Sequence, residues 1–219
     1  AEAVRWYRLA AEQGHANAQF NLGFMYDLGE GVLKDDAEAA RWYRLAAEQG
    51  YANAQYNLGL MYSNGKGVPK DGAEAVRWYS LAAEQGYASA QYNLGLKYDN
   101  GVGALVDAAE ALRWYRLAAE QGYANAQYVL GSKYSDDDGV LKDNAEAVHW
   151  YRLAAEQGYA DGQSSLGEMY ENGNGTLKDH VLAHMWYNIA SANGSKFGAE
   201  SRDKIEKIMT REQVAAATQ

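Results

Sequence analysis

The chain contains no cysteine, a single proline and no long run of apolar residues. Without cysteine it has no disulfide, no cysteine-ligated zinc or iron–sulfur site and no thiol nucleophile. Its apolar runs are only a few residues long, whereas a helix that crosses a bilayer needs about 20. Basic residues are also scarce: 20 lysines and arginines face 29 aspartates and glutamates, for a formal net charge of −9. This balance argues against a nucleic-acid binder and against attraction to an anionic membrane surface.

What the sequence has instead is a fixed period of 36 residues without insertions, most visible in its tryptophans. A unit of this size is too small to bury a core of its own, so stacked neighbours must bury a continuous one. We therefore expect an all-α solenoid. The tryptophans are Trp6, Trp42, Trp78, Trp114, Trp150 and Trp186, and two glycine series keep the same step: Gly14, Gly50, Gly86, Gly122, Gly158 and Gly194, then Gly23, Gly59, Gly95, Gly131 and Gly167.

The first half of each period has the pattern of one amphipathic helix. In residues 52–63, Ala54, Leu58 and Met61 recur at helical spacing and form one apolar stripe. The following Gly65 and Gly67 break the helix, because glycine adopts positive φ angles at little cost. Small residues in these helices should let neighbouring helix axes approach closely.

The second half of each period predicts another helix. Asp71 and Glu74 have the spacing of a capping box, which opens a helix. Trp78 and Tyr79 then belong to its buried side, where each ring buries a large apolar surface between layers. Gly86 ends the helix, as a glycine after the last turn does.

These motifs together resemble the Sel1-like repeat family. Residues 54–86 read AQYNLGLMYSNGKGVPKDGAEAVRWYSLAAEQG, with the family's LG..Y, G.GV, KD..EA and WY..AAEQG elements in order. The resemblance implies an α/α superhelical solenoid of helix-turn-helix repeats, related to the tetratricopeptide repeat, in a single domain over 1–219. Residues 1–14 would be the second helix of an incomplete leading repeat, 15–194 five repeats, and 195–219 a C-terminal helical cap.

The resemblance also carries expectations about function. It implies a non-enzymatic adaptor between proteins, without a cofactor, and favours a bacterial periplasmic or secreted protein over a cytoplasmic one. Two alternatives stay open: a purely structural spacer, and a hydrolase or cell-wall ligand binder, since cysteine-rich relatives have been linked to β-lactam binding. Because Ala1 lies within the repeat pattern, we expect a fragment or processed form, either monomeric or weakly associated end to end.

In the related tetratricopeptide architecture the first helices line a concave groove. Residues that point away from the buried stripe would then face a partner, and asparagines there could hold a peptide backbone. The predicted groove is aromatic and apolar at its N-terminal end and acidic at its C-terminal end, which suits a protein or peptide with a basic segment. The alternative is that its tyrosines belong to the core. The assigned residues are Asn17, Phe20, Asn21, Phe24, Asn53, Tyr56, Asn57, Leu60, Tyr92, Asn93, Leu96, Asp99, Tyr128, Glu168 and Glu171.

None of the assigned groove positions is lysine or arginine, which argues against a clamp for a free carboxylate. Only Lys97 and Lys133, at the register of Met25 and Met61, lie near the predicted groove, where each could contact a carboxylate singly.

Two clusters could be taken for metal sites. His180 and His184 have the i, i+4 spacing of a helical ligand pair, but His184 falls at a buried register and no third ligand is near in sequence. The acidic run Asp136–Asp138 lacks the order of an EF-hand, so it is interpreted as a solvated turn. We expect no metal and no catalytic residue.

Overall fold

The computed structural model describes residues 2–136 and 141–218, which form helices joined by short turns and contain no strand. The predicted all-α fold is confirmed, with two helices per period. The helices are α1 (Glu2–Glu12), α2 (Ala16–Leu28), α3 (Asp36–Glu48), α4 (Ala52–Asn64), α5 (Gly72–Glu84), α6 (Ala88–Asn100), α7 (Ala108–Glu120), α8 (Ala124–Asp136), α9 (Asn144–Glu156), α10 (Ala160–Asn172), α11 (His180–Ala192), α12 (Lys196–Glu206) and α13 (Arg211–Ala217). Within these ranges, no helix combines the length and the apolar character needed to cross a bilayer.

The residues gather into two compact units, Ala1–Trp114 and Tyr115–Gln219. In the first unit, helices α1 to α6 pack in chain order, each on the next. In the second unit, α8 to α12 do the same, and α13 packs back on α11. Each unit is thus a stack of helical hairpins whose core forms between successive layers.

An aspartate opens each second helix from α3 onward. The Asp71 carboxylate accepts hydrogen bonds from the backbone N–H groups of Ala73 and Glu74, at 2.9 and 3.1 Å. Glu74 accepts a hydrogen bond from the indole N–H of Trp78 at 3.1 Å, whereas a closed capping box would have it accept from the backbone of Asp71. The capping pattern therefore located the helix start correctly, but the glutamate holds the buried tryptophan. The same aspartate cap occurs at Asp35, Asp107, Asp143 and Asp179.

The glycines within the first helices allow close packing on a tyrosine. A Cβ atom on Gly59 would lie 2.7 Å from the ring of Tyr79, a side chain that is only 2% exposed. The predicted close approach of helices is therefore confirmed, and the tyrosine ring is what fills the space next to the glycine. The other described pairs are Gly23 with Tyr43, Gly131 with Tyr151, and Gly167 with Tyr187.

A buried glutamine in each first helix links successive layers. The side-chain amide of Gln55 donates to the backbone carbonyl of Ala47, at the end of the preceding second helix, at 3.1 Å. Its oxygen accepts from the side-chain amide of Gln85, at the end of the next second helix, at 2.7 Å. Because both ends of the buried amide are satisfied, Gln55 joins three helices without a desolvation penalty. Equivalent glutamines are Gln19, Gln91, Gln127 and Gln163.

Candidate functional site

All of the residues assigned to the groove from sequence lie on first helices. Helices α2, α4 and α6 carry those of the first unit, and α8 and α10 carry those of the second. Most are partly buried, while Phe24 is 41% exposed. The structure brings subsets of them together in two clefts, one in each unit.

The aromatic groove residues are packed on one side and open on the other. The ring centroid of Tyr56 lies 6.0 Å from that of Tyr79 and 5.0 Å from that of Tyr87. Tyr128 has the same pair of ring neighbours in the second unit, at 5.9 and 5.4 Å. Since Tyr56 and Tyr128 stay half-buried, each contributes to the core and remains partly accessible to solvent.

Some groove asparagines already form hydrogen bonds within the protein. The amide of Asn21 donates to the backbone carbonyl and side-chain oxygen of Asn17, at 2.8 and 2.9 Å. Asn17 in turn donates to the hydroxyl of Tyr51 at 3.2 Å. Only the remaining donors and acceptors of these amides are left for a peptide backbone.

The first unit contains a cleft of about 330 Å³, named here the Lys97 cleft. The ammonium of Lys97 donates to the hydroxyl of Ser63 at 2.8 Å. Burial lowers the pKa of Lys97, and repulsion from Lys70 lowers it further. The lining residues are Leu60, Ser63, Asn64, Tyr79, Asn93, Leu96, Lys97, Asn100 and Val102.

Lys97, which the sequence placed near the predicted groove, lies at the register where Met61 is buried. The aliphatic part of a lysine side chain can pack where an apolar side chain would, while its ammonium extends beyond the packed layer. The signal was the lysine itself, which interrupts a methionine position of the repeat.

The second unit contains a smaller cleft of about 230 Å³, named here the acidic cleft. Glu168 is partly exposed at this cleft; its partial burial raises its pKa, and repulsion from Glu171 and Asp136 raises it further. Ser132 donates a hydrogen bond to Asp136 at 3.1 Å, and the hydroxyl of Tyr187 donates to Glu171 at 2.6 Å. The lining residues are Tyr128, Ser132, Ser135, Asp136, Tyr151, Ser165, Glu168, Met169 and Asn174.

An ion pair that sequence reasoning missed ties two layers of the first unit together. The ammonium of Lys66 contacts the carboxylate of Asp27 and lies 3.6 Å from that of Asp36. The hydrogen bond to Asp27 is the main reason why the pKa of Lys66 is raised. Asp27 is therefore already paired, although its register faces the predicted groove.

The structure describes the histidines of the first suspected metal cluster but only part of the second, acidic one. His184 is 2% exposed, as its register predicts, and its Nε2 atom lies 3.6 Å from a carboxylate oxygen of Glu206. In residues 2–136 and 141–218, no three histidine, aspartate or glutamate side chains are grouped as metal ligands. Of the acidic run, Asp137 and Asp138 lie outside the described residues.

Two solved structures resemble this chain closely. The first is a protective antigen present in uropathogenic Escherichia coli strains, which displays an SLR fold: it is 39% identical, with a TM-score of 0.91 over 98% of this chain and 48% of the antigen. The second is a Sel1 repeat protein from Oxalobacter formigenes, 40% identical, with a TM-score of 0.81 over 86% of this chain and 77% of that protein. The present chain thus spans about half the length of the antigen.

More distant structures share the fold alone. An immunity protein from Pseudomonas aeruginosa is 24% identical, with a TM-score of 0.52 over 91% of this chain and 75% of that protein. No protein of curated function matches the sequence. The Sel1 repeat family model, however, matches residues 1–15, 16–51, 52–87, 88–123, 124–159 and 160–195 in unbroken succession. The chain belongs to the Sel1 repeat family.

Proposed function

We propose that this chain is a non-enzymatic binding scaffold that holds a basic protein segment in the acidic cleft of its second unit. Sel1 repeat proteins are in general protein–protein interaction scaffolds, and the family is generally non-enzymatic. The proposal adds the kind of partner and the residues that contact it. It is supported chiefly by the concentration of negative charge around Glu168.

The charges at the acidic cleft are arranged to attract a cation. Partial burial raises the pKa of Glu168, and repulsion from Glu171 and Asp136 raises it further, while none of the described residues that line the cleft is basic. An incoming lysine or arginine relieves that repulsion and replaces part of the lost hydration with charged hydrogen bonds. The cleft therefore favours a cationic side chain over a neutral one.

Neutral groups in the acidic cleft complement the rest of a basic side chain. The hydroxyls of Ser132 and Ser135 can accept N–H groups that the carboxylates do not reach. The half-buried ring of Tyr128 offers a face to an aliphatic stem or a guanidinium group. Together these features suit lysine or arginine within a peptide.

The first-helix residues of the first unit remain part of the proposal as apolar contacts. Phe24 is 41% exposed, and its ring centroid lies 6.4 Å from that of Phe20. Leu60 and Leu96 lie partly exposed in the Lys97 cleft. Exposed apolar side chains of this kind are common where a protein contacts a partner.

Removing the acidic charges should abolish the preference for basic peptides. With fluorescein-labelled peptides that differ only in central lysines or glutamines, the wild type is expected to bind the lysine peptide more tightly in fluorescence anisotropy. The Asp136→Asn/Glu168→Gln double variant should weaken that binding about tenfold, or roughly 1.4 kcal/mol. The control is Glu156→Gln, at an exposed position on α9. Equal binding of both peptides by the wild type, or an equal loss in the control, would contradict the proposal.

Binding and stability should respond oppositely to pH. A cation binds the ionised form of Glu168, so affinity for the lysine peptide should increase as pH rises through the raised pKa of Glu168. In the unfolded chain the pKa of Glu168 is ordinary, so its contribution to stability is present below that value and is lost as pH rises through the folded-state pKa. Anisotropy and thermal unfolding over a pH series measure both trends, and Glu168→Gln should flatten both. If the two trends persist unchanged in that variant, Glu168 is not their source.

A further inference from the structure

We propose that the Lys97 cleft is a second ligand site, which takes an aspartate or glutamate side chain from an extended protein segment. It goes beyond the role proposed for the acidic cleft, because it lies in the other unit, has the opposite charge preference and shares no residue with that cleft. It shares Leu60 and Leu96 with the apolar contacts proposed above and assigns them a ligand of their own. The cleft contains one cation that has no counter-ion among the described residues, with amides and leucines around it.

Lys97 replaces a core residue of the repeat. The equivalent Met61 and Met169 are each 3% exposed, so a methionine at this register is readily buried. The stem of Lys97 lies at the same register, while its ammonium lies in the cleft and donates to Ser63 at 2.8 Å. A methionine would avoid the cost of partly burying a charge, so the lysine is not explained by packing.

The charge of Lys97 is uncompensated. Across residues 2–136 and 141–218, no carboxylate lies within ion-pair distance of its ammonium, whereas Lys66 of the same unit contacts two aspartates. Burial lowers the pKa of Lys97, and repulsion from Lys70 lowers it further. A carboxylate in the cleft would offset both the burial and the repulsion. The chain has a net charge of −9, so acidic residues outnumber basic ones. A cation in a cleft without an acidic partner is therefore unexpected.

The surroundings of the ammonium suit a peptide. Amides of Asn64, Asn93 and Asn100 line the cleft, and an amide both donates to a carbonyl and accepts from an N–H group. Leu60, Leu96 and Val102 supply apolar walls for the side chain next to the acidic residue. The volume of about 330 Å³ lies at the lower end of the range for ligand sites.

An internal acidic side chain fits better than a chain terminus. The point charge of Lys97 can pair with a side-chain or a terminal carboxylate alike, so the choice between them depends on the contacts available to the backbone. Asn100 already donates to the carbonyl of Leu96 at 2.8 Å, and Asn93 forms a hydrogen bond with Tyr79. The remaining donors and acceptors of these amides would contact the backbone on both sides of an internal residue. The occupant is therefore an extended segment that continues through the cleft.

The test compares peptides with the full chain by fluorescence anisotropy at low salt. One acetylated and amidated peptide carries a single glutamate between leucines, and a second carries glutamine instead. A third has the glutamine sequence with a free C-terminal carboxylate. The wild type should bind the glutamate peptide about tenfold more tightly than the glutamine peptide. Lys97→Met should remove that difference and should leave the melting temperature equal to or above that of the wild type.

Controls separate this proposal from the one for the acidic cleft. Lys34→Met removes an equal charge from an exposed loop of the same unit and should retain the preference for glutamate. The Asp136→Asn/Glu168→Gln variant should also retain it, even if that variant has lost lysine-peptide binding. The proposal is overturned if the glutamate and glutamine peptides bind equally or not at all, if Lys97→Met keeps the preference, or if the free-terminus peptide binds best.

Discussion

Replacing Gly67 with alanine is expected to destabilise the protein by about 4 kcal/mol, because the new methyl group has no space. A Cβ atom at Gly67 would lie 2.0 Å from the carbonyl oxygen of Asp36 and 2.3 Å from its carbonyl carbon. The obstacle is backbone at the start of α3 in the preceding layer, so no side-chain rotation removes it. The φ angle of Gly67, +68°, adds strain for any residue with a Cβ. Urea unfolding followed by circular dichroism measures the loss.

Gly86→Ala is the matched control, because it introduces the backbone strain of a positive φ angle without a steric clash. Gly86 has a φ angle of +85°, but a Cβ there would meet no atom within 4 Å. This variant should lose only the cost of a left-handed alanine, about 1–2 kcal/mol. If both variants lose the same stability, the contact between the loop and α3 does not hold the layers together. The contact recurs where Gly103 meets Gly72 and where Gly175 meets Asn144.

The fold was predictable because its determinants are local and repeated. The apolar stripe through Ala54 and Leu58, the cap at Asp71 and the terminating Gly86 each act within a few residues of themselves. A strict period then implies that every layer meets an equivalent neighbour. The helix boundaries around residues 52–86, the aspartate cap and the burial of Trp78 and Tyr79 therefore followed from the sequence alone.

Contacts between layers were less predictable, because a helical wheel describes one helix at a time. The pattern indicated a positive φ angle at Gly67 but contained no sign of the carbonyl of Asp36 beside it. The buried role of Gln55 was missed since glutamine is usually exposed. Its recurrence at one register of the buried face was the available signal.

The candidate sites also combine features that the sequence predicted with contacts that only the structure shows. The acidic end was predicted because charges are visible in sequence, and the structure does bring Glu168 and Asp136 to one cleft with Tyr128. Which charges are already paired depends on side chains from other layers, as Lys66 with Asp27 illustrates. The contrast between paired Lys66 and uncompensated Lys97 could be recognised only in the structure.

Gln55→Glu is expected to destabilise the protein by about 3–4 kcal/mol at neutral pH, although the two side chains have the same shape. Gln55 is 3% exposed, and its amide donates to the carbonyl of Ala47. A carboxylate there would set a negative charge against that carbonyl oxygen, and only the bond from Gln85 would remain. Urea unfolding measures the difference from the wild type.

The pH dependence of Gln55→Glu identifies the cause. Burial should raise the pKa of the introduced carboxyl, so its protonated form, which can donate to Ala47 as the amide does, is favoured at low pH. The penalty should therefore shrink as pH falls through the raised pKa and grow as pH rises through it. Gln55→Leu loses both hydrogen bonds without gaining a charge and should show a smaller, pH-independent loss of about 1–2 kcal/mol. The same Gln→Glu change at exposed Gln13, which does not pair with a buried glutamine, should cost little, and an equal loss there would mean that burial of the glutamine between layers is not what stabilises the stack.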